Sequence, residues 1–160
     1  FVPLCEGGLG GVSPIPFPSN NQFPVLYISG EENLGQISGR AHRLGITGDI
    51  HILTTGLFED IVATIRDGSE QIIVIDSLSV LSSEMLEGSS GSMTQLRTMV
   101  ETFMELAKRL QKSIILIGHI TKDGSIGGPK ALEHLVDVVL FLEGVRTENY
   151  RILRSLKNRF

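Results

Sequence analysis

The chain has 160 residues, of which 41% are hydrophobic and 20% charged, and a net charge of −4. That is enough for one domain, which would hide roughly 70% of its unfolded surface, and it excludes a disordered or collagen-like composition. No run of about 18 apolar residues exists to span a bilayer. The one cysteine, Cys5, excludes an internal disulfide and a four-cysteine zinc site, and suits a reducing compartment.

No basic stretch followed by an apolar one opens the chain, so no secretory signal is expected. Phe1 stands where Met would begin a complete chain, which is what a fragment or a processed product presents. Residues 1–24 hold Gly7, Gly8, Gly10 and Gly11 and five of the six prolines. Glycine and proline at that density predict an irregular segment, distinct from a folded part over 25–160.

Strands and helices then alternate. Val25 to Ser29 (VLYIS) is a short β-rich run. Leu34, Ile37, Ala41 and Leu44 fall on one face of a predicted helix. Gly35 and Gly39 inside it each cost about 1 kcal/mol relative to Ala, so packing must hold it. Ile50 to Leu53 predicts a strand, and Phe58, Ile61, Val62 and Ile65 mark a second helix. Ile72 to Ile75 (IIVI) is a continuous apolar run, the pattern of a strand buried on both faces. A polar loop over Ser82 to Gly91 precedes a long helix. Ser92 and Gln95 predict its capping box. Leu96, Met99, Val100, Phe103, Ala107 and Leu110 form its apolar stripe. Ile114 to Ile117 (IILI) predicts another buried strand, and Thr121 to Pro129 a glycine-rich loop. A short helix over Ala131 to Leu135 and strands over Val138 to Leu142 and Tyr150 to Leu156 complete the series. The fold class is α/β: a mainly parallel sheet flanked by helices, with antiparallel C-terminal strands too closely spaced for helical crossovers.

Ligands of such sheets sit at the carboxyl ends of the strands. Three of those ends carry polar residues: Ser29-Gly30-Glu31-Glu32, Asp76-Ser77 and Gly118-His119. An acid at the place of Asp76 either holds Mg²⁺ through water or caps a turn. Glu31 or Glu32 either orients an attacking water as a general base or favours the dipole of the next helix. Adjacent residues leave a strand in different directions, so one of the two is expected to face a site. His119 either bonds a phosphate or makes a turn contact. The segment Lys122 to Gly128 either touches a nucleic-acid backbone or is a plain loop. His42, His51 and His134 lack metal-ligand spacing. Arg146, Arg151, Arg154, Lys157 and Arg159 stand against Glu148 alone, so residues 146–160 carry +4 and the rest −8. Such a run is either a solvated strand edge or an anion-binding surface.

Four segments in order resemble the bacterial RadA/Sms family of RecA-like recombination and repair ATPases. They are SGEE at 29–32, IIVIDS at 72–77, LIGHITKDGSIGGPKALEHLVDVVLFLEG at 116–144 and YRILRSLKNRF at 150–160. The resemblance runs from about Pro24 to Phe160; the KNRF and GH-T-K-G-S-I-GP segments are its most specific parts. It implies a DNA-dependent ATPase with ATP and Mg²⁺ as cofactors, single-stranded or branched DNA as partner, and a homohexameric ring. It implies a cytoplasmic location in a bacterium, or an organellar one in a eukaryote. It implies Glu31 as the catalytic acid, Asp76 as the Mg²⁺-holding acid, and His119 as the γ-phosphate sensor, with Ser77 and Lys122 beside the nucleotide. Lys157 and Arg159 would act near the nucleotide across a subunit boundary. Ser82 to Met93 and Gly124 to Lys130 correspond to DNA-facing loops, with Ser125, Lys130 and Arg97 as candidate DNA contacts.

The family's zinc finger and Lon-protease-like domain have no counterpart in these residues. Its phosphate-binding loop, G-x-x-x-x-G-K-[ST], is missing as well: the first lysine anywhere is Lys108. That loop supplies backbone N–H donors, a lysine and a Mg²⁺-binding hydroxyl. Charge-assisted bonds are worth about 1.5–3 kcal/mol each. Losing four removes about 6 kcal/mol, roughly four decades of affinity, and turns a micromolar site into a roughly ten-millimolar one. Two readings stay open: a DNA-dependent ATPase in truncated or rearranged form, or a non-hydrolysing DNA-binding or assembly subunit of the same fold.

Overall fold

A computed structural model describes residues 23–46, 50–89, 91–119, 129–144 and 150–160. Strands and helices alternate from the start: β1 (Val25–Ser29), α1 (Leu34–Arg43), β2 (Ile50–Thr54), α2 (Phe58–Asp67) and β3 (Ile72–Asp76). A 3-10 turn over Leu78–Val80, the long α3 (Met93–Leu110), β4 (Ser113–Ile117), α4 (Pro129–Leu132), β5 (Val138–Gly144) and β6 (Arg151–Asn158) follow. Strands β1 to β4 form a parallel sheet in the order β2-β1-β3-β4, and β5 and β6 form a separate antiparallel pair.

Side chains alternate between the two faces of the sheet. Leu26 and Ile28 of β1 and Ile73 and Ile75 of β3 lie on one face and are at most 3% exposed. Phe58, Ile61 and Ile65 of α2 and Leu96, Met99, Val100, Phe103 and Leu106 of α3 close over them. Phe58 and Phe103 meet edge to face, with ring centroids 5.3 Å apart. Right-handed crossovers fix this layout. The chain steps from β1 to β2 one way and from β2 to β3 and then β4 the other way, so α1 lies opposite α2 and α3. Ile37 of α1 is accordingly buried yet stands outside the cluster formed under α2 and α3.

Three expectations need correction. Among the described residues Ile114 to Ile117 pairs with β3 alone and stands at the sheet edge, with Ile115 51% exposed. The helix stripe of α1 is largely open: Leu34 and Leu44 are exposed and Ile37 alone is buried. The capping box at Ser92 is half-formed. Ser92 accepts from the Gln95 backbone N–H, but the Gln95 side chain turns away to donate to the carbonyls of Leu86 and Gly88. The complete box is at α1, where Asn33 and Gln36 cap each other. The predicted loop over Thr121 to Pro129 lies outside the described residues but for Pro129, which opens α4.

Candidate functional site

Parallel pairing of β1, β3 and β4 brings their carboxyl ends to one edge. Ser29 pairs with Asp76, and Asp76 with Ile117, so the segments after each strand start side by side. Ser29 is buried, and its hydroxyl accepts from the Glu32 N–H at 3.0 Å, which folds Ser29-Gly30-Glu31-Glu32 into a tight turn. Gly30 is required in that turn: a Cβ there would stand 2.6 Å from Val80 Cγ2. The close approach lays the turn against the Leu78–Val80 segment and brings Glu31 to Ser77.

The two glutamates separate as the strand geometry demands. Glu31 Oε1 accepts from the Ser77 hydroxyl at 2.9 Å and lies 3.8 Å from His119 Nε2. Ser77 is fully buried and also shares a hydrogen bond of 2.7 Å with Ser79. Glu32 instead pairs with Arg40 of α1. Glu31, Ser77 and His119 therefore form one polar chain across three strand ends, and Glu32 stands outside it. Ser77, expected beside a nucleotide, has its hydroxyl turned to Glu31.

Asp76 has a partner that no motif announced. The Tyr27 hydroxyl donates to Asp76 Oδ2 at 2.5 Å, from the strand next door. Burial, followed by the bond to Asp76, pushes the Tyr27 phenol up to about 12. Arg40 and Glu32 complete the surroundings of the phenol.

Lys157 and Arg159 are held at the other sheet. Lys157 Nζ donates to the carbonyls of Glu133 and His134 at 2.9 and 3.0 Å. Arg159 bonds Asp137 and the His134 carbonyl. These contacts fasten β6 to the turn after α4, and none reaches Glu31, Asp76 or His119. Arg97 lies on the exposed flank of α3, paired with Glu101 one turn on. Lys122 and Ser125, and the side chain of Lys130, lie outside the described residues.

The loop between the 3-10 turn and α3 is anchored at both ends. Glu59 of α2 accepts from Ser83 and from the Met85 N–H. Burial raises the Glu59 carboxyl, but the Ser83 and backbone bonds outweigh it and hold the group below its usual range. Gln95, 1% exposed, ties the far end through Leu86 and Gly88. The loop carries Glu84 and Glu87 and no cation.

Mg²⁺ suits the strand-end acids. It takes hard oxygen ligands, commonly one or two carboxylates plus water and substrate phosphates, and Asp76 and Glu31 are oxygen donors of that kind. Among the described residues no cluster of three or more His, Cys, Asp or Glu forms a dedicated metal cage. These 160 residues contain no G-x-x-x-x-G-K-[ST] phosphate-binding loop sequence. Among the described residues no helix is long and apolar enough to cross a membrane.

No protein-family model matches the chain. It is 40% identical over 148 residues to the DNA repair protein RadA of Brucella abortus, covering 89% of this chain and 32% of that protein. The RadA of Rickettsia prowazekii is 46% identical over 143 residues, 88% of this chain and 32% of its own length. That of Chlamydia muridarum is 44% identical over 139 residues, 86% and 30% respectively. Among solved structures, the flagellar accessory protein FlaH from Methanocaldococcus jannaschii superposes with a TM-score of 0.60 at 12% identity, over 86% of this chain and 67% of FlaH. That likeness concerns the fold alone, which is RecA-like. Over most of its length the chain is thus similar, at 38–46% identity, to bacterial DNA repair proteins RadA, and it spans about a third of their length.

Proposed function

We propose that this chain carries the acid-and-sensor side of a Mg²⁺-dependent ATPase site that serves DNA recombination and repair. The observation that supports it is the convergence of Glu31, Ser77 and His119 beside Asp76 at adjoining strand ends. In this reading Ser77 fixes one oxygen of Glu31, leaving the other to take a proton from a water. Asp76 would hold Mg²⁺, which supplies positive charge beside phosphate oxygens. His119 stands where a ring N–H could answer to a phosphate and pass its state to Glu31. Lys157 and Arg159 would act across a subunit boundary in a homohexameric ring, and single-stranded or branched DNA would be the partner. The relatives are DNA repair proteins by name, which supports the DNA side of this reading.

One observation favours a second reading, a DNA-binding or assembly subunit that does not hydrolyse ATP: no lysine precedes Lys108. A fluorescent ATP analogue titrated into the chain with Mg²⁺, with and without single-stranded DNA, separates the two. The second reading expects the 160 residues to bind at roughly ten-millimolar, four decades weaker than a micromolar site. Binding in the micromolar range would mean that a phosphate cradle is rebuilt within the chain or by a second copy. No binding up to millimolar, with DNA binding intact, favours the non-hydrolysing subunit.

A further inference from the structure

The hydrogen bond between Tyr27 and Asp76 belongs to no motif, yet it touches the acid on which metal binding depends. Tyr27 sits in the middle of β1, where its direct neighbour on β3 is Val74; Asp76 lies two rows further along. Two rows of a strand are roughly 7 Å, about the reach of a phenol, so the ring leans along the sheet and delivers its hydroxyl to Oδ2. Phenylalanine would place its ring along the same path with nothing to donate. Among the described residues the Tyr27 hydroxyl is the one side-chain donor to this carboxylate. The backbone carbonyl of Asp76 is engaged separately, by the Gly30 N–H at 3.2 Å.

We propose that Tyr27 is a positioning residue for Asp76: it fixes the carboxylate by Oδ2 and leaves Oδ1 to take a divalent cation or its bound water. A strand-end aspartate without such a partner rotates freely about its last torsion and loses that freedom on binding metal. Tyr27 removes it beforehand. The carboxylates that ligate metals are generally hydrogen-bonded from behind, and removing such a partner costs 10- to 100-fold in metal affinity. The proposal rests on the reading of Asp76 as the metal-holding acid.

The probe is Mn²⁺ alone, titrated into the whole chain, into Tyr27→Phe and into Asp76→Asn, with free Mn²⁺ read by electron paramagnetic resonance. Asp76→Asn is expected to abolish the site, and Tyr27→Phe to weaken it about 10-fold with an unchanged melting temperature in metal-free buffer. Tyr27→Phe binding as tightly as the parent overturns the role of Tyr27 and leaves that of Asp76 standing. Asp76→Asn binding as tightly as the parent, or a parent that does not bind, overturns both.

A second measurement needs no Tyr27 variant. The chain has two tyrosines and no tryptophan, so tyrosine emission is readable directly. A carboxylate that accepts from a phenol quenches it. Asp76→Asn is expected to brighten the emission, and Mn²⁺-free Asp76→Asn as dim as the parent would show that the bond is not made in solution, which overturns the proposal.

Discussion

On one face of the four-stranded sheet, Ile28, Ile73 and Ile75 are almost fully buried beneath α2 and α3; on the other, Tyr27 and Val74 are half-buried and Ile115 is 51% exposed. Both faces present large aliphatic residues, and the cover differs: two helices against α1, which buries Ile37 alone. Parallel sheets are ordinarily covered on both faces. The closed face holds the fold together, while the open face carries Tyr27 and Asp76, whose partners are polar. The proposed metal-holding acid thus lies on the side of the sheet that contributes less to the core.

The largest test of that contrast is truncation on each side. Phe103→Ala removes a ring that is 1% exposed and packs on Phe58, and it is expected to lower the unfolding free energy by about 3–5 kcal/mol in urea titration. Ile115→Ala, half in solvent, is expected to cost about 1 kcal/mol, near the low end for a partly buried aliphatic group. Equal losses would mean that the open face is covered in solution and the contrast is wrong.

Gln95 sharpens the picture at the rim of the closed face. Its amide is buried and holds the carbonyls of Leu86 and Gly88. Gln95→Ala leaves both carbonyls unanswered, at about 1–3 kcal/mol for such desolvated groups. Faster amide exchange over residues 84–89 without change in β3 would show that the damage stays in the loop. Uniform acceleration would show instead that the loop and the core unfold together.

What the sequence revealed and what it hid follow from the same geometry. Asp76 and Glu31 could be singled out because both follow strands at the end where such sheets bind ligands, although an acid there caps a turn or favours a helix dipole as readily. The strands and helices of the parallel unit were legible because short continuous apolar runs and stripes of period 3.6 separate them. Tyr27 was invisible: tyrosine is an ordinary strand residue, and its meaning depends on the register of a strand 49 positions away. IILI reads the same in a central strand and at an edge, so the exposure of Ile115 could not be seen. Ser92 and Gln95 fit a box that the Gln95 side chain gives up for two buried carbonyls, a choice that only the tertiary fold offers.

At the opposite end of the sheet from the site, His51 bonds Glu70 at 2.5 Å. This bond, opposed by burial, holds the Glu70 carboxyl below its ordinary value of 4.5. A carboxyl depressed in the folded state stabilises the fold above its unfolded value and loses that contribution as pH falls through the lower folded one. His51→Ala is expected to cost roughly 1 kcal/mol at neutral pH and to make the acid limb of the stability curve shallower, because the folded carboxyl would return toward its unfolded value. An acid limb of unchanged steepness would assign Glu70 to its backbone partners.

The smallest effect on stability is expected at Arg97, whose exposed pair with Glu101 lies within one helix: about 0.3–0.5 kcal/mol. That makes it a clean probe of the DNA reading, because the fold barely depends on it. Each phosphate that a protein ceases to neutralise lowers the slope of log affinity against log salt by about 0.7 on single-stranded DNA. Arg97→Ala is expected to flatten the slope by that amount. The double variant Lys157→Ala and Arg159→Ala is expected to leave the slope nearly unchanged, because the role proposed for both cations is beside a nucleotide at a subunit boundary and not on DNA. A slope that drops by about 1.4 in the double variant and not at all in Arg97→Ala would exchange the two assignments. The DNA surface would then lie on the antiparallel hairpin, not on the flank of α3.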